Sequence, residues 1–455
     1  MKRRTFLKVL GGAAAAGVAS APFLRALADP PSGQNEFFIF IHASGGWDVT
    51  LWSDPRNERV GLVEPASTDN TDFTVIRRYM PAPLDSDSQT FQLVRPSGSN
   101  ITFGPTIGDL GDHFDRICLI NGIAMNTVSH PDGTAFSATG RHLAGGRVPA
   151  SSIDTMVANE FGTGQLFPVV SVNFPSSFVG NLDRRAMPLR VGAIGSIAKS
   201  LTRSNSYDNS YDRDQVTALL SREAEDLAQV SYYPDALHGM SVQFDNLRRM
   251  LPATPMAMGL QDIFSATRLQ TAHPEFNYRA RFQSTTAINA AFAVEAMERN
   301  IVRAVAFAAP SFDTHNANYK QHAQNQQELF DLIATLLTTL DTTAHPNLTG
   351  EMLSAHTHIM VFSDFCRTPQ VNLAMGRDHY PNNSTLIISP RFRSNFVYGS
   401  TDHDQVLPED SGMFSDGMRP IAPPDVLCTF LHAFGVDYRT YLRDGEAVPA
   451  LLRTP

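Results

Sequence analysis

Cysteine is nearly missing from this chain: three in 455 residues, at Cys118, Cys366 and Cys428. That is too few for a disulfide framework. Each lies in or beside an apolar segment, so core thiols are expected, with one disulfide left open in an oxidising compartment. Positive charge is also in deficit. Thirty-six Lys and Arg face 45 Asp and Glu, a net charge of −9, and the cations form no patch. Nucleic acid and anionic membrane surfaces are therefore not expected partners. After residue 24 no apolar run is long enough to serve as a stable membrane anchor. No Gly-x-Ser-x-Gly elbow follows a strand pattern, which argues against an α/β-hydrolase with a Ser-His-Asp triad. No glycine-rich nucleotide motif stands in a suitable setting, and no repeat period is apparent.

What is present starts with an N-terminal address. Lys2 to Lys8 is basic, Val9 to Leu24 is apolar and rich in Ala and Gly, and Ala26-Leu27-Ala28 forms a cleavage pattern. Arg3-Arg4 followed by Phe6-Leu7-Lys8 resembles the twin-arginine export signal. Residues 1–28 are thus expected to engage the Tat export machinery, and residues 29–455 to act in the periplasm or as a secreted protein. That pathway carries folded proteins, which suits a metal site loaded before export.

Six apolar runs predict buried strands: Phe37 to Ile41, Ile117 to Ile120, Pro168 to Val172, Val302 to Ala308, His358 to Phe362 and Thr385 to Ile388. Helix-spaced apolar residues recur over 215–230, 236–251, 284–301, 319–340 and 425–434, the last with Gly435 as its expected cap. Alternating strands and helices predict a mostly parallel sheet covered on both faces. Residues 29–455 read as one α/β domain, with irregular insertions around 52–104 and 203–282; 203–213 and 274–281 read as loops.

Four clusters of acid and histidine stand out: Gly45-Gly46-Trp47-Asp48, Ser311-Phe312-Asp313-Thr314-His315, Ser363-Asp364-Phe365 and Asp378-His379. The first three follow strand runs. Charged groups gathered at strand ends are costly unless compensated, and a metal ion is the usual compensation for mixed Asp and His. Asp313 and His315, at i and i+2, share a face in extended backbone, and His322 follows as a supporting residue. Arg367 is placed to neutralise Asp364 or to grip an anionic substrate. Ser129 and Thr134, after the second strand, are the candidate nucleophiles at a strand-to-helix turn. His130 between them reads as a ligand, a base or a surface residue.

Taken in order, the twin-arginine start, the strand ending in Gly-Gly-x-Asp, Ser129-His130, Phe312 to His315, Ser363-Asp364-Phe365-x-Arg367-Thr368-Pro369, Asn372, Gly376-x-Asp378-His379 and the helix over 425–435 resemble the bacterial exported domain-of-unknown-function family 1501. That family is similar to the alkaline phosphatase and sulfatase superfamily. The resemblance implies a three-layer α/β/α sandwich with metals at the carboxyl ends of the strands. It implies Asp48, Asp313, His315, Asp364 and His379 as metal ligands. Phe365 stands where that superfamily places a histidine, so one ligand of the set is missing, which points to a single-metal or altered site. The function so implied is an exported, metal-dependent hydrolase of phosphate or sulfate esters on small molecules or polymers. Zinc or manganese is the favoured ion, with magnesium or calcium as alternatives. A catalytically inactive binding or assembly protein on the same fold is the alternative.

Overall fold

The structure is a computed structural model. It describes residues 35–56, 93–201, 262–277, 284–316, 318–374 and 376–453, with some helical positions between 218 and 226. The N-terminal address, the 203–213 loop and the 236–251 helix lie outside the described residues, as does most of the 215–230 helix.

All six predicted strand runs enter one eight-stranded sheet. In chain order its strands are β1 (Phe37–Ala43), β2 (Ile117–Ala124), β3 (Phe167–Val172), β4 (Leu189–Val191), β5 (Val302–Ala308), β6 (Thr357–Ser363), β9 (Asn382–Ile388) and β10 (Phe396–Tyr398). Among the described residues there are also two short ribbons, β7 (Cys366–Arg367) with β8 (His379–Tyr380), and β11 (Gly412–Phe414) with β12 (Gly417–Arg419). The order across the sheet is β10-β2-β9-β6-β1-β5-β3-β4. Strand β9 runs antiparallel to β2 and β6, while every other pairing is parallel. The sheet is therefore mostly parallel, as the alternation of strands and helices predicts.

Strand β1 is buried at every position. Its side chains alternate between two cores. Phe37, Ile39 and Ile41 point to one, and Phe38 and Phe40 to the other. The first core packs α3 (Ile194–Leu201), α4 (Ala266–Ala272), α5 (Ser284–Glu298) and α6 (Ala323–Thr342). The second packs α1 (His130–Thr139), α2 (Ile153–Phe161) and α7 (Pro423–His432). This is a three-layer α/β/α sandwich. Each buried Phe or Ile of β1 contributes roughly 1.5–3 kcal/mol, so the central strand is a firm base for whatever its end carries.

Details depart from the sequence reading. Gly435 adopts φ of 73°, but α7 ends earlier, with Ala433 at its cap. A 3-10 turn forms at Pro274–Asn277, where a loop is expected. The three cysteines are free and buried.

The reversal of β9 locates the site. Strands β1, β2, β5 and β6 all end at one edge of the sheet. The chain leaving β6 at Ser363 stays at that edge through β7 and β8 and only then turns down as β9. Residues 364–381 are thus held beside the carboxyl ends of four parallel strands, the usual place for a ligand site in such sheets.

Candidate metal centre

Helix α1 begins just beyond β2. Ser129 is its cap residue, with extended backbone but no side-chain capping bond, Pro131 sits in the first turn, and Gly140 in the left-handed region ends it. Gly133 lets this helix lie against the end of β6, since a Cβ there would fall 2.4 Å from the Asp364 carbonyl oxygen. His130 and Thr134 are four residues apart and share a helix face. Both reach Asp364: His130 Nδ1 lies 2.8 Å from Oδ2, and the Thr134 hydroxyl donates to Oδ1 at 2.9 Å. His42 Nε2 at 2.6 Å and the Gly45 amide at 2.9 Å also bond this carboxylate. Asp364 is buried. Burial would raise its pKa, but the charge of His42 and the bonds from His130, His42 and Thr134 hold it well below the usual carboxylate range.

A second approach comes from β1 and β5. Gly45 has φ of 99°, and a Cβ there would sit 2.5 Å from the Asp313 amide nitrogen. This contact presses the Gly45 turn against the residue that carries the site's carboxylate. Arg367 binds the two loops together. Its Nε donates to the Gly46 carbonyl at 2.9 Å, Nη2 to the Gly45 carbonyl and to Asp313 Oδ1 at 2.7 Å, and Nη1 to the Arg377 carbonyl at 3.1 Å. Its remaining contact is Nη1 to His315 Nε2 at 3.4 Å. The five N–H groups of the guanidinium therefore face five acceptors of the protein itself, and the side chain has no exposed surface. Burial would raise Asp313, but the bond and charge of Arg367, with His130 and His315 beyond, hold its pKa below the ordinary value.

Four side chains converge at this edge: His130, Asp313, His315 and His379, with one ligand atom from each lying within 4.8 Å of the others. Asp313 Oδ1 is 3.3 Å from His130 Nε2, 3.1 Å from His315 Nε2 and 3.9 Å from His379 Nε2. His315 Nε2 and His379 Nε2 are 3.1 Å apart. Each imidazole is fixed by its other nitrogen. His130 Nδ1 meets Asp364, His315 Nδ1 meets Asp378 Oδ1 at 3.0 Å, and His379 Nδ1 meets the Val128 carbonyl at 2.7 Å. Carboxylates and carbonyls only accept, so Nδ1 carries the proton in all three rings. In the neutral rings the three Nε2 lone pairs then point at one another and at a carboxylate, with Arg367 the nearest protein donor, an arrangement that could hold a further cation. His130 Nε2 is buried without a hydrogen-bond partner. The bond to Asp364 raises the His130 pKa against burial. Burial, with His130, Arg367 and His315 nearby, lowers that of His379. The residues present fit a divalent ion, each histidine backed by an acceptor as in known metal sites.

Of the five expected ligands, the structure brings Asp313, His315 and His379 together and adds His130. Asp364 stands behind His130 and sets its orientation. Asp48 lies apart from the cluster. It is buried, its Oδ1 accepts from the Thr50 amide and hydroxyl at 3.0 and 2.7 Å, and its Oδ2 accepts from Asn318 at 2.8 Å and pairs with Arg377 Nε at 2.9 Å. Its own amide donates to His322 Nε2 at 2.7 Å, and burial lowers the His322 pKa to about 3, keeping that ring neutral. Phe365 lies beneath the cluster, with its ring centroid 4.7 Å from those of His130 and His379. Of the two expected nucleophiles, Thr134 is bonded to Asp364 and Ser129 is exposed beside His130. Sequence reasoning missed His42, Asp378 as the partner of His315, and Arg377 as the partner of Asp48. A histidine inside the otherwise apolar run of β1 was the signal for the first.

Solved structures offer distant likenesses. The crystal structure of Ps i-CgsB matches with a TM-score of 0.36 and 9% identity, covering 90% of this chain and 75% of that one. Its complex with k-i-k-neocarrahexaose matches at 0.30 and 12%, covering 90% and 74%. A TAB5 alkaline phosphatase variant with magnesium bound matches at 0.30 and 11%, covering 80% and 94%. At these scores the architecture rests on the sheet's own topology. No curated protein matches the chain. The family model described as "Protein of unknown function (DUF1501)" matches residues 36–451, nearly the whole chain and every residue of the centre, and the chain belongs to that family.

Proposed function

We propose that this protein binds one divalent metal ion through His130, Asp313, His315 and His379 and hydrolyses phosphate or sulfate esters there, after export by the twin-arginine route. The observation that carries the reading is the convergence of three Nε2 atoms, each on a ring whose Nδ1 is tied to an acceptor, upon Asp313 Oδ1. Three imidazoles and one carboxylate suit zinc or manganese better than the harder magnesium or calcium. When bound, the ion supplies a Lewis acid that polarises an ester oxygen and activates water.

The chain's own contribution is positioning. Arg367 fixes the Asp313 carboxylate, and Asp364, Asp378 and the Val128 carbonyl fix the three rings. Ser129, exposed at the start of α1 with no side-chain capping bond, is the hydroxyl best placed to act as nucleophile. Thr134 is a positioning residue for Asp364. Arg367 acts on substrate only through Asp313, because its donors are already engaged. The test is isothermal titration with zinc and manganese, followed by a phosphate and sulfate ester panel. One ion per chain, lost in Asp313→Ala, with ester turnover that depends on the ion, is the expected result. Absence of zinc and manganese binding by the folded protein would remove the basis of the reading.

A binding or assembly protein is the second reading. Two observations favour it: Phe365 where a further ligand is expected, and a guanidinium with no donor left for a substrate anion. Stoichiometric metal without turnover of any ester is its signature.

A further inference from the structure

At the opposite edge of the sheet, three side chains from adjacent strands form a line. Glu36 immediately precedes β1, His358 is on β6, and Ser389 immediately follows β9. Ser389 Oγ lies 2.7 Å from His358 Nδ1, and His358 Nε2 lies 3.0 Å from Glu36 Oε2. Glu36 only accepts, so Nε2 carries the ring proton and Nδ1 is the acceptor for the serine hydroxyl. Arg391 Nη2, 3.1 Å from Glu36 Oε1, keeps the carboxylate charged. Burial would raise Glu36, but His358 and Arg391 hold its pKa below the ordinary value; burial holds that of His358 down, as an unprotonated base requires.

This line would be only a buried hydrogen-bond chain were it not for the space beside it. Ser389 lines a cavity of about 290 Å³ with one apolar wall of Leu337, Leu340 and Ile388 and a polar rim that includes Asp115, Arg116 and Arg453. The volume is at the lower end for small-molecule sites. The Leu337, Leu340 and Ile388 wall fits a short acyl chain.

We propose that Ser389, His358 and Glu36 form a second hydrolytic site, acting on small uncharged carboxylic esters admitted to this cavity. Ser389 Oγ bonds to the ester carbonyl carbon as its proton passes to His358 Nδ1. The carbon–oxygen bond to the alcohol then breaks, and the alcohol leaves with that proton. Water adds to the acyl-serine and gives its proton to His358. The carboxylic acid departs and the serine is restored. Glu36 is a positioning residue that orients the ring.

This inference is independent of the metal centre, and its test separates the two. The folded full chain is treated with a fluorophosphonate probe and mapped by peptide mass spectrometry, with p-nitrophenyl acetate and butyrate as substrates. A single adduct on Ser389 is expected, unchanged by chelation of divalent ions and absent in Ser389→Ala. His358→Asn should slow labelling at least ~100-fold. Glu36→Gln should move the acid limb of the labelling profile to lower pH, since the carboxylate raises the pKa of the ring, and a purely structural Glu36 would not do so. A folded wild-type protein that leaves Ser389 unlabelled overturns the proposal, even if a variant fails to fold.

Discussion

Asp48 and Asp313 follow neighbouring parallel strands, β1 and β5, at the same edge of the sheet, yet they live in opposite surroundings. Asp48 is wholly buried, and its oxygens accept from Thr50, Asn318 and Arg377. The side chain of Asp313 is 44% exposed, and its Oδ1 faces Arg367 and three imidazole nitrogens. Both carboxylates are compensated, as charge near a strand end must be. One is compensated entirely by protein donors. The other has Arg367 as its protein donor and imidazole acceptors on its remaining sides, and that deficit marks a place for an ion. Acidity at a strand end is therefore a poor guide to metal binding; the balance of donors and acceptors around the acid is the better one.

The strongest way to break this comparison is to remove each acid. Asp48→Ala strands Arg377 in the interior without its carboxylate. Losing one partner of a buried pair costs about 3–5 kcal/mol. Urea unfolding should show that loss, and a change within 1 kcal/mol would refute a structural Asp48. Asp313→Ala should do the reverse. Arg367 loses its carboxylate but keeps the Gly45, Gly46 and Arg377 carbonyls, so the stability loss should be smaller than that of Asp48→Ala, while zinc affinity by titration falls beyond the 10–100-fold typical of losing a supporting residue. Equal metal affinity in wild type and variant would take Asp313 out of the centre. Asp378→Ala tests the next layer. It touches His315 Nδ1 and lies outside the four-residue cluster, so a loss of about 10–100-fold is expected. A larger loss than that of Asp313→Ala would show that the ligand assignment is inverted.

The sequence makes the strands legible because the central ones are buried on both faces and read as unbroken apolar runs. It makes the edge legible because each acid cluster comes directly after such a run. It does not separate Asp48 from Asp313, since both follow a strand end and differ only in partners brought from far along the chain. Arg377 is 329 positions from Asp48, and His130 is 183 from Asp313. His130 was ambiguous for the same reason. A histidine at a helix start is ordinary until the fold shows Asp364 behind one nitrogen and Asp313 before the other. Short α1 is legible only as the helix after the strand-to-helix turn at Ser129, because its inward face uses small and polar residues, such as Gly133 and Ser137. Gly133 is small for a positional reason, the near contact with the Asp364 backbone.

The smallest expected effect concerns the proton that competes with the ion. Asp364 raises the pKa of His130, so in the metal-free protein this ring keeps its second proton to higher pH than a free histidine. That proton sits on Nε2, the atom the ion needs. Below the His130 pKa, binding must expel it, and affinity should fall about tenfold for each pH unit of acidification. Above that pKa the proton is already gone and affinity should level off. His379, lowered by burial and its charged neighbours, should contribute only at more acid pH. Asp48 has no part in this balance, so its pocket should leave no trace in the profile. Calorimetry in two buffers of different ionisation enthalpy counts the released proton directly. Proton release that is present at acid pH and fades as the pH rises above the ordinary histidine range supports the assignment. A count that stays at zero from acid to alkaline pH would mean that His130 Nε2 is not a ligand, and that the centre is held by Asp313, His315 and His379 alone.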